Sequence, residues 1–442
     1  MTSSRRRLPV SSKLIFWFVF LGPIGALIPL PGLPPSFRFY YLLLVPGIII
    51  VLAKGIRLRT VGHFLILSPV LVYMMVSAVY AYLAFPVVTE GTEGNPLIRF
   101  FLFVCLLLFT MCAGEEVSTF DIHLRLKVLA VFMNGYLVSL IVGYIFFIGF
   151  YLHIFTLEFL AHFEVLVQLG FGILRFSPGS YPNEYGVVSS FVLSILALLL
   201  LYRKQLLYTD RVFQRIRSLP ILCFCALLTL GALFLATTRA AYISFLLSVL
   251  YVGLSQGGFR KPIVFIARTL LIGAVLILCA EPFFDVAGIF VKGYEAFFSE
   301  GNVGNGRLNA WGIALDFFLQ QPYLGVGFGA VDMMHNVYLQ LLFGLGIVGS
   351  CLLVLTILVL LIRARGLILV SSDSIRSAPQ LFIQRVSTIG LIHVLWFAMG
   401  NHNLNHFLTW FTVLLGYLRI RHSDYGSAGP LSPLPLPSSE VG

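Results

Sequence analysis

Apolar residues in this chain come in long uniform runs, with polar residues confined to short breaks between them. Runs of about 20 residues suit the roughly 30 Å hydrocarbon core of a bilayer, because a helix rises about 1.5 Å per residue. Read this way, the pattern predicts twelve spans, near 14–30, 39–53, 63–85, 97–113, 127–150, 186–202, 219–236, 240–255, 262–280, 336–361, 382–400 and 404–420. Short strands of alternating polarity, the mark of a membrane β-barrel, would read differently. One helix over 219–255 would reach about 55 Å, too long for the core. The polar break "TTRA" (237–240) therefore predicts two spans joined by a tight turn at Arg239. The stretch "YLHIFTLEFLAHFEVLVQLG" (151–170) is apolar but holds Glu158, His162 and Glu164. An amphipathic helix lying on the outer interface is expected there. The fold class is thus an all-α integral membrane protein of about twelve transmembrane helices, with interfacial helices in its outer loops.

Charge sets the sidedness. With the N-terminus in the cytoplasm, 23 Lys and Arg fall inside and 6 outside: Arg38, Arg99, Arg175, Arg239, Lys292 and Arg307. That asymmetry follows the positive-inside rule and puts both termini inside. It also explains a net charge of +11 without invoking nucleic acid. Residues 59% hydrophobic and only 11% charged exclude an ordinary soluble domain. The six cysteines (Cys105, Cys112, Cys223, Cys225, Cys279 and Cys351) all lie in apolar segments and read as small apolar fillers. The basic head and apolar body of the N-terminus resemble a signal peptide, but no small-residue cleavage site follows, so an uncleaved first helix is expected. The division is a cytoplasmic N-terminus (1–13), a membrane domain (14–422) with a large outer loop (281–335), and a disordered cytoplasmic tail (423–442) rich in Pro, Ser and Gly.

With the sides fixed, the polar residues that look out of place gather outside. In the large outer loop, Leu308, Trp311, Leu315 and Phe318 follow helical spacing, while Asn309, Asp316 and Gln320 lie elsewhere on the wheel. An interfacial helix is expected, closed by Pro322 and the glycine-rich "LGVGFG" (324–329), which lacks the lysine of a phosphate-binding loop. "RFSPGSYPNEYG" (175–186) reads as a structured turn with Arg175, Asn183 and Glu184; His335 and Asn336 open the tenth span. A lone outer Arg is usually a headgroup anchor, and a His at a helix mouth is usually an interfacial residue or cap. Their convergence on one face favours function. His402 and His406 stand four apart but lack an HExxH motif or a third ligand, so zinc is not expected.

Four stretches in order, "R…PGSYPNEYG" (175–186), "TTRAAYISFLL" (237–247), "GRLNAWGIALDFFLQQPYLGVGFG" (306–329) and "HNVYLQLLFGLGIVG" (335–349), resemble the O-antigen ligase and polymerase superfamily of bacterial polysaccharide assembly. The resemblance covers a core from about 175 to 360. Where the family often carries an acidic residue before its final "LG" pair, this chain has Gly344. The resemblance implies a metal-independent, cofactor-free glycosyltransferase of C-type architecture in the bacterial inner membrane, its active site on the periplasmic side. The implied donor is a glycan on polyprenyl diphosphate, and the acceptor a sugar hydroxyl on lipid A–core or on a second lipid-linked glycan. By position, His335 is the implied catalytic residue and Arg175 and Arg239 the implied diphosphate ligands. Arg307 is a weaker candidate, and Asn183 and Asn336 are implied substrate contacts.

The chemistry suits these residue types. A neutral His, with an ordinary pKa of about 6.5, can take the proton of an attacking hydroxyl. Arginines bind a leaving diphosphate bidentately and stay charged in a dry site. A transporter or flippase is the main rival, but transporters place ionisable residues near the midplane and repeat their halves. Transferases using polyprenyl-monophosphate sugars would carry acids in the first outer loop, and "PGLPPSFR" (31–38) has none. Ligase is slightly favoured over polymerase.

Overall fold

The computed structural model describes residues 9–28, 38–54, 58–84, 95–168, 174–207, 218–255, 307–330, 335–369, 377–400 and 404–418, with single positions between 264 and 291. In chain order these form α1 (Val10–Leu21), α2 (Leu44–Lys54), α3 (Leu58–Ala84), α4 (Pro96–Ser118), α5 (Ile122–Tyr151), α6 (Leu157–His162), β1 (Leu166–Gln168), β2 (Leu174–Phe176), α7 (Pro182–Leu207), α8 (Leu219–Ala236), α9 (Arg239–Ser255), α10 (Arg307–Gln320), α11 (Val337–Leu369), α12 (Ala378–Ala398) and α13 (Phe407–Leu418). Seven helices are long and apolar enough to cross a membrane: Val61–Ala84, Pro96–Ser118, Ile122–Tyr151, Pro182–Tyr202, Leu219–Ala236, Val337–Leu360 and Ala378–Ala398. This is a multi-pass, all-α membrane protein. Shorter apolar helices occupy four more of the expected positions, at Val10–Leu21, Phe39–Ile50, Arg239–Ser255 and Phe407–Leu418. The expected span at 262–280 and the tail from 423 lie outside the described residues.

Buried α7 is the hub, packed by α8, α9 and α12. A second layer of α1, α2, α4, α5 and α13 is joined to it through an aromatic stack in which Phe132 lies 4.4 Å from Phe411 and 5.7 Å from Phe191. Side-chain contacts connect residues that the sequence places on the same side. At the inner end, Ser11 and Ser12 both donate to Glu116 (2.6 and 2.5 Å). There too Arg125 donates to the carbonyls of Phe120, Ser118 and Leu418 (2.8, 2.6 and 2.7 Å), closing helix ends whose last carbonyls lack intrahelical partners. At the outer end, Arg38 reaches Glu164 (2.6 Å) and the Ala26 amide donates to the Gly179 carbonyl (2.7 Å).

Three elements depart from the expected pattern. The first span is cut short at Leu21, after which Pro23 and a turn of 3-10 helix at Gly25–Leu27 lead out along the outer end. The stretch 151–170 is not one amphipathic helix. Helix α5 ends at Tyr151 and His153 follows in a left-handed conformation (φ 59°), α6 lasts six residues, and Glu164 (φ 51°) turns the chain into two antiparallel strands pairing Leu166 with Phe176 and Gln168 with Leu174. Glu164 is spent on this turn: its carboxylate goes inward to Arg38 while its carbonyl accepts from Ser177 (2.9 Å). In α10, Trp311, Ala314 and Phe318 face the first half of α11, and Leu315 stays exposed. The buried stripe is therefore one residue off the expected one, and Asn309, Asp316 and Gln320 remain outward.

The Arg38–Glu164 pair gives a direct stability test. Arg38→Met strands a buried carboxylate and is expected to cost about 3–5 kcal/mol, read as a lower unfolding midpoint of the detergent-purified chain. The double variant R38M/E164L should recover most of that loss. A single variant as stable as the parent would contradict the role.

Candidate functional site

The end of the bundle that the charge pattern expects outside is built around a strained turn. Between α8 and α9 the chain reverses at Thr237, a β-branched residue held in the left-handed region (φ 50°), a conformation costing on the order of 1–3 kcal/mol. Arg175, on β2 and buried, holds it from both sides. Its Nε donates to the Ala236 carbonyl (2.8 Å) and one terminal nitrogen donates to Thr238 Oγ1 (2.7 Å). The same nitrogen donates to Asn183 Oδ1 (2.9 Å), and Thr238 Oγ1 donates to the Pro182 carbonyl (3.0 Å). Strand β2, the α8–α9 turn and the start of α7 are thereby sewn into one corner. The next residue, Arg239, is exposed and opens α9. Its cation stands at a helix N-terminus, where aligned backbone dipoles already favour an anion.

The second part of the site rests on a broken helix. The expected tenth span is not continuous: at Gly346 the backbone turns to φ 66°, ψ −174°, inside α11. The glycine-rich turn after α10 docks into the break. Val326 and Gly327 amides donate to the Phe343 and Gly344 carbonyls (both 2.9 Å), and Ile347 and Val348 amides donate to Pro322 and Tyr323 (2.9 and 3.1 Å). Helix α3 seals it. Ser77 Oγ accepts from the Phe328 amide (2.9 Å) and donates to the Gly344 carbonyl (3.3 Å), and Tyr73 donates to the Leu345 carbonyl (2.9 Å). The carbonyls of Phe343, Gly344 and Leu345 and the amides of Ile347 and Val348, on either side of the break, are thus paired within protein, as an apolar surrounding requires. Gly327 (φ 108°) must be glycine, because a Cβ there would strike Ala81 and the Ser77 carbonyl.

His335 stands just before the first turn of α11, half-buried, with φ 47°. The left-handed region is uncommon outside glycine, and such outliers concentrate at functional positions. Asn336 follows as the helix cap: its Oδ1 accepts from the Leu339 amide (3.1 Å). Tyr338 then donates to the Leu395 carbonyl (3.1 Å), near the outer end of α12. Two turns or less from there, His393 meets Ser190 (2.8 Å), which also donates to the Ala241 carbonyl (2.8 Å) in the first turn after Arg239. Helix α12 therefore touches both the Arg239 turn and the His335 helix. Arg175, Asn183 and Arg239 share one corner, and His335 and Asn336 are linked to it through α12. Arg307 opens α10, which is tied to α11 through the docked turn.

Sequence reasoning missed one cluster beside this corner. Arg38 donates to Glu164, lies 5.2 Å from the Tyr181 ring, and feels both Glu164 and Glu184. Burial by itself lowers the Arg38 pKa, but the two carboxylates outweigh it and hold the guanidinium above the ordinary arginine range. Glu184, adjacent to Asn183, accepts from Ser180 (2.8 Å) and lies 3.9 Å from His406 Nδ1. Arg38 stands 126 positions before Glu164 along the chain, so no local spacing announced their pairing. The acids inside otherwise apolar outer segments were the available signal. Among the described residues no three His, Cys, Asp or Glu side chains converge as a metal site would need, and His402 lies outside them.

A multi-pass membrane protein with a polar corner at one end, built from a clasped arginine turn and a capped histidine, is the class that fold and site define. Residues 224–354 match the family model described as O-Antigen ligase, and that match supports the resemblance to the O-antigen ligase and polymerase superfamily. Arg239, Arg307, His335 and Asn336 fall within the match, whereas Arg175 and Asn183 precede it. No curated protein matches the chain. The match supports, in general terms, a glycosyltransferase-like activity of O-antigen ligase or polymerase type.

The docked turn carries its own prediction. Gly327→Ala is expected to break the dock and lower thermal stability by at least the strain cost of about 1–3 kcal/mol. Gly312→Ala, where a Cβ meets nothing within 4 Å, should be neutral or slightly stabilising. Equal unfolding midpoints for the two variants would contradict the assignment.

Proposed function

We propose that this protein transfers a glycan from a polyprenyl-diphosphate donor to a sugar hydroxyl on the outer side of the bacterial inner membrane, with lipid A–core as the acceptor. The observation that carries the reading is His335, held left-handed at the mouth of a capped helix within the matched domain. In the reaction, the acceptor hydroxyl attacks the anomeric carbon, the bond to the diphosphate oxygen breaks, and the hydroxyl proton passes to the His335 imidazole. A base so placed contributes typically 10²–10⁴-fold. Negative charge developing on the leaving diphosphate is met by Arg239, exposed at the N-terminus of α9. Arg175 is the positioning residue: two of its three nitrogens are engaged in holding the strained turn. Arg307 adds positive charge at the start of α10, and Asn183 and Asn336 set the geometry of the two arms. With arginines neutralising the leaving group, the mechanism calls for no metal.

The test is glycan transfer by the purified chain, supplied with a polyprenyl-diphosphate-linked oligosaccharide and EDTA, with or without lipid A–core. Product on lipid A–core establishes a ligase; longer lipid-linked chains without it establish a polymerase. No product in either tube overturns the reading. His335→Asn tolerates the left-handed backbone but removes the base, so transfer should fall at least 10²-fold with the unfolding midpoint unchanged. Arg239→Lys keeps the charge but loses the bidentate fork, and about a tenfold or greater loss of kcat/KM is expected. Parent-like transfer by either variant would remove that residue from the mechanism.

A further inference from the structure

The cluster beside the arginine turn sets two carboxylates, Glu164 and Glu184, around one guanidinium, Arg38. Arg38 is the cation facing Glu164 and Glu184, and its 2.6 Å bond goes to Glu164. Glu184 receives the Ser180 hydroxyl and faces His406 Nδ1 at 3.9 Å. Both side chains are about nine-tenths buried, at 9% exposure for Glu184 and 13% for His406. A buried carboxylate needs a charge partner, and a protonated His406 supplies it. His406 is held against Phe397 at the end of α12, and the neighbouring Asn405 carbonyl accepts from Tyr41 (3.2 Å). The pair thus joins the last outer turn to the first turn of α7. The groups facing it are Arg38, Glu164, Tyr40, Tyr41, Ser180 and Tyr181.

That first turn of α7 carries Asn183, which accepts from Arg175, which holds the turn presenting Arg239. A diphosphate arriving at Arg239 brings further negative charge to a corner already holding two carboxylates. It makes a proton on His406 more favourable, and by linkage that proton strengthens diphosphate binding in return. We infer that Glu184 and His406 form a proton-carrying positioning pair that couples donor binding to pH. The inference rests on the proposed diphosphate site at Arg239. Binding takes up a proton at His406, and affinity falls as pH rises through the titration of that imidazole. The sign is diagnostic, because a phosphate ligand ionising further near pH 6 would bind an arginine site more tightly as pH rises.

The experiment is calorimetric titration of the detergent-purified full chain with geranyl diphosphate between pH 5.5 and 8.5. The expected result is a dissociation constant that rises about tenfold across the range for the parent and for His335→Asn, and stays flat or falls for Glu184→Gln and His406→Gln. Parent affinity that is flat or rises with pH overturns the inference, as does a parent-like profile in both Gln variants. Should those variants not purify folded, parent titrations at pH 7 in two buffers of different ionisation enthalpy decide instead. Uptake of a fraction of a proton or more supports the pair, and no uptake overturns it. Absence of geranyl diphosphate binding at every pH is a different failure, which removes the Arg239 diphosphate site itself and the coupling with it.

Discussion

Arg175 reaching from a short β-strand to the turn between α8 and α9 is the interaction on which the outer end of this protein depends. Thr237 would not hold a left-handed backbone unaided, and without that reversal α8 and α9 could not both lie against α7. The guanidinium suits the task because its fork is planar and permanently charged. One side chain can therefore bond a carbonyl, a hydroxyl and an amide oxygen from two other segments at once. The two-stranded sheet that carries Arg175 is small, yet it exists in a helical membrane protein because the arginine must approach the turn from outside the helix bundle. Burial of Glu164 against Arg38 fixes the other end of the same sheet.

The bilayer makes part of this architecture legible. A lipid core penalises any unpaired backbone polar group, so long apolar runs have little choice but to be helices. The two-helix reading of 219–255 followed from length alone. Asn336, expected from the resemblance as a substrate contact, also caps α11 through its Oδ1, a role not expected from the sequence. What could not be read were features whose partners lie far along the chain. The break in α11 is stable only because a turn 20 residues earlier donates into it and Ser77 and Tyr73 close it from α3. The stretch 151–168 folds as a short helix and a strand around Glu164, whose carboxylate is bonded to the distant Arg38. Family resemblance suggested His335 and the arginines as site residues; spacing alone would not have brought Arg175 to Thr238.

The site divides labour between rigid and committed groups. Arg175 and the Oδ1 atoms of Asn183 and Asn336, first expected to contact substrate, are bonded within the protein, while the Arg239 side chain is exposed. In the proposed mechanism such a division is preorganisation: the group offered to the leaving diphosphate is supported by others already held in place. Helix α12, through Leu395 and His393, spans from the arginine corner to the histidine helix, giving the two arms a common reference.

The broken helix has a mechanical consequence. Because the turn at 322–328 donates to Phe343 and Gly344 and accepts from Ile347 and Val348, it is stapled to both sides of Gly346. The two halves of α11 are thereby held at a fixed angle, and α10, which leads into that turn, is fastened to both. With Ser77 and Tyr73 bonded to the same junction from α3, the direction in which α11 carries His335 is fixed about three helical turns away from it, at the glycine break.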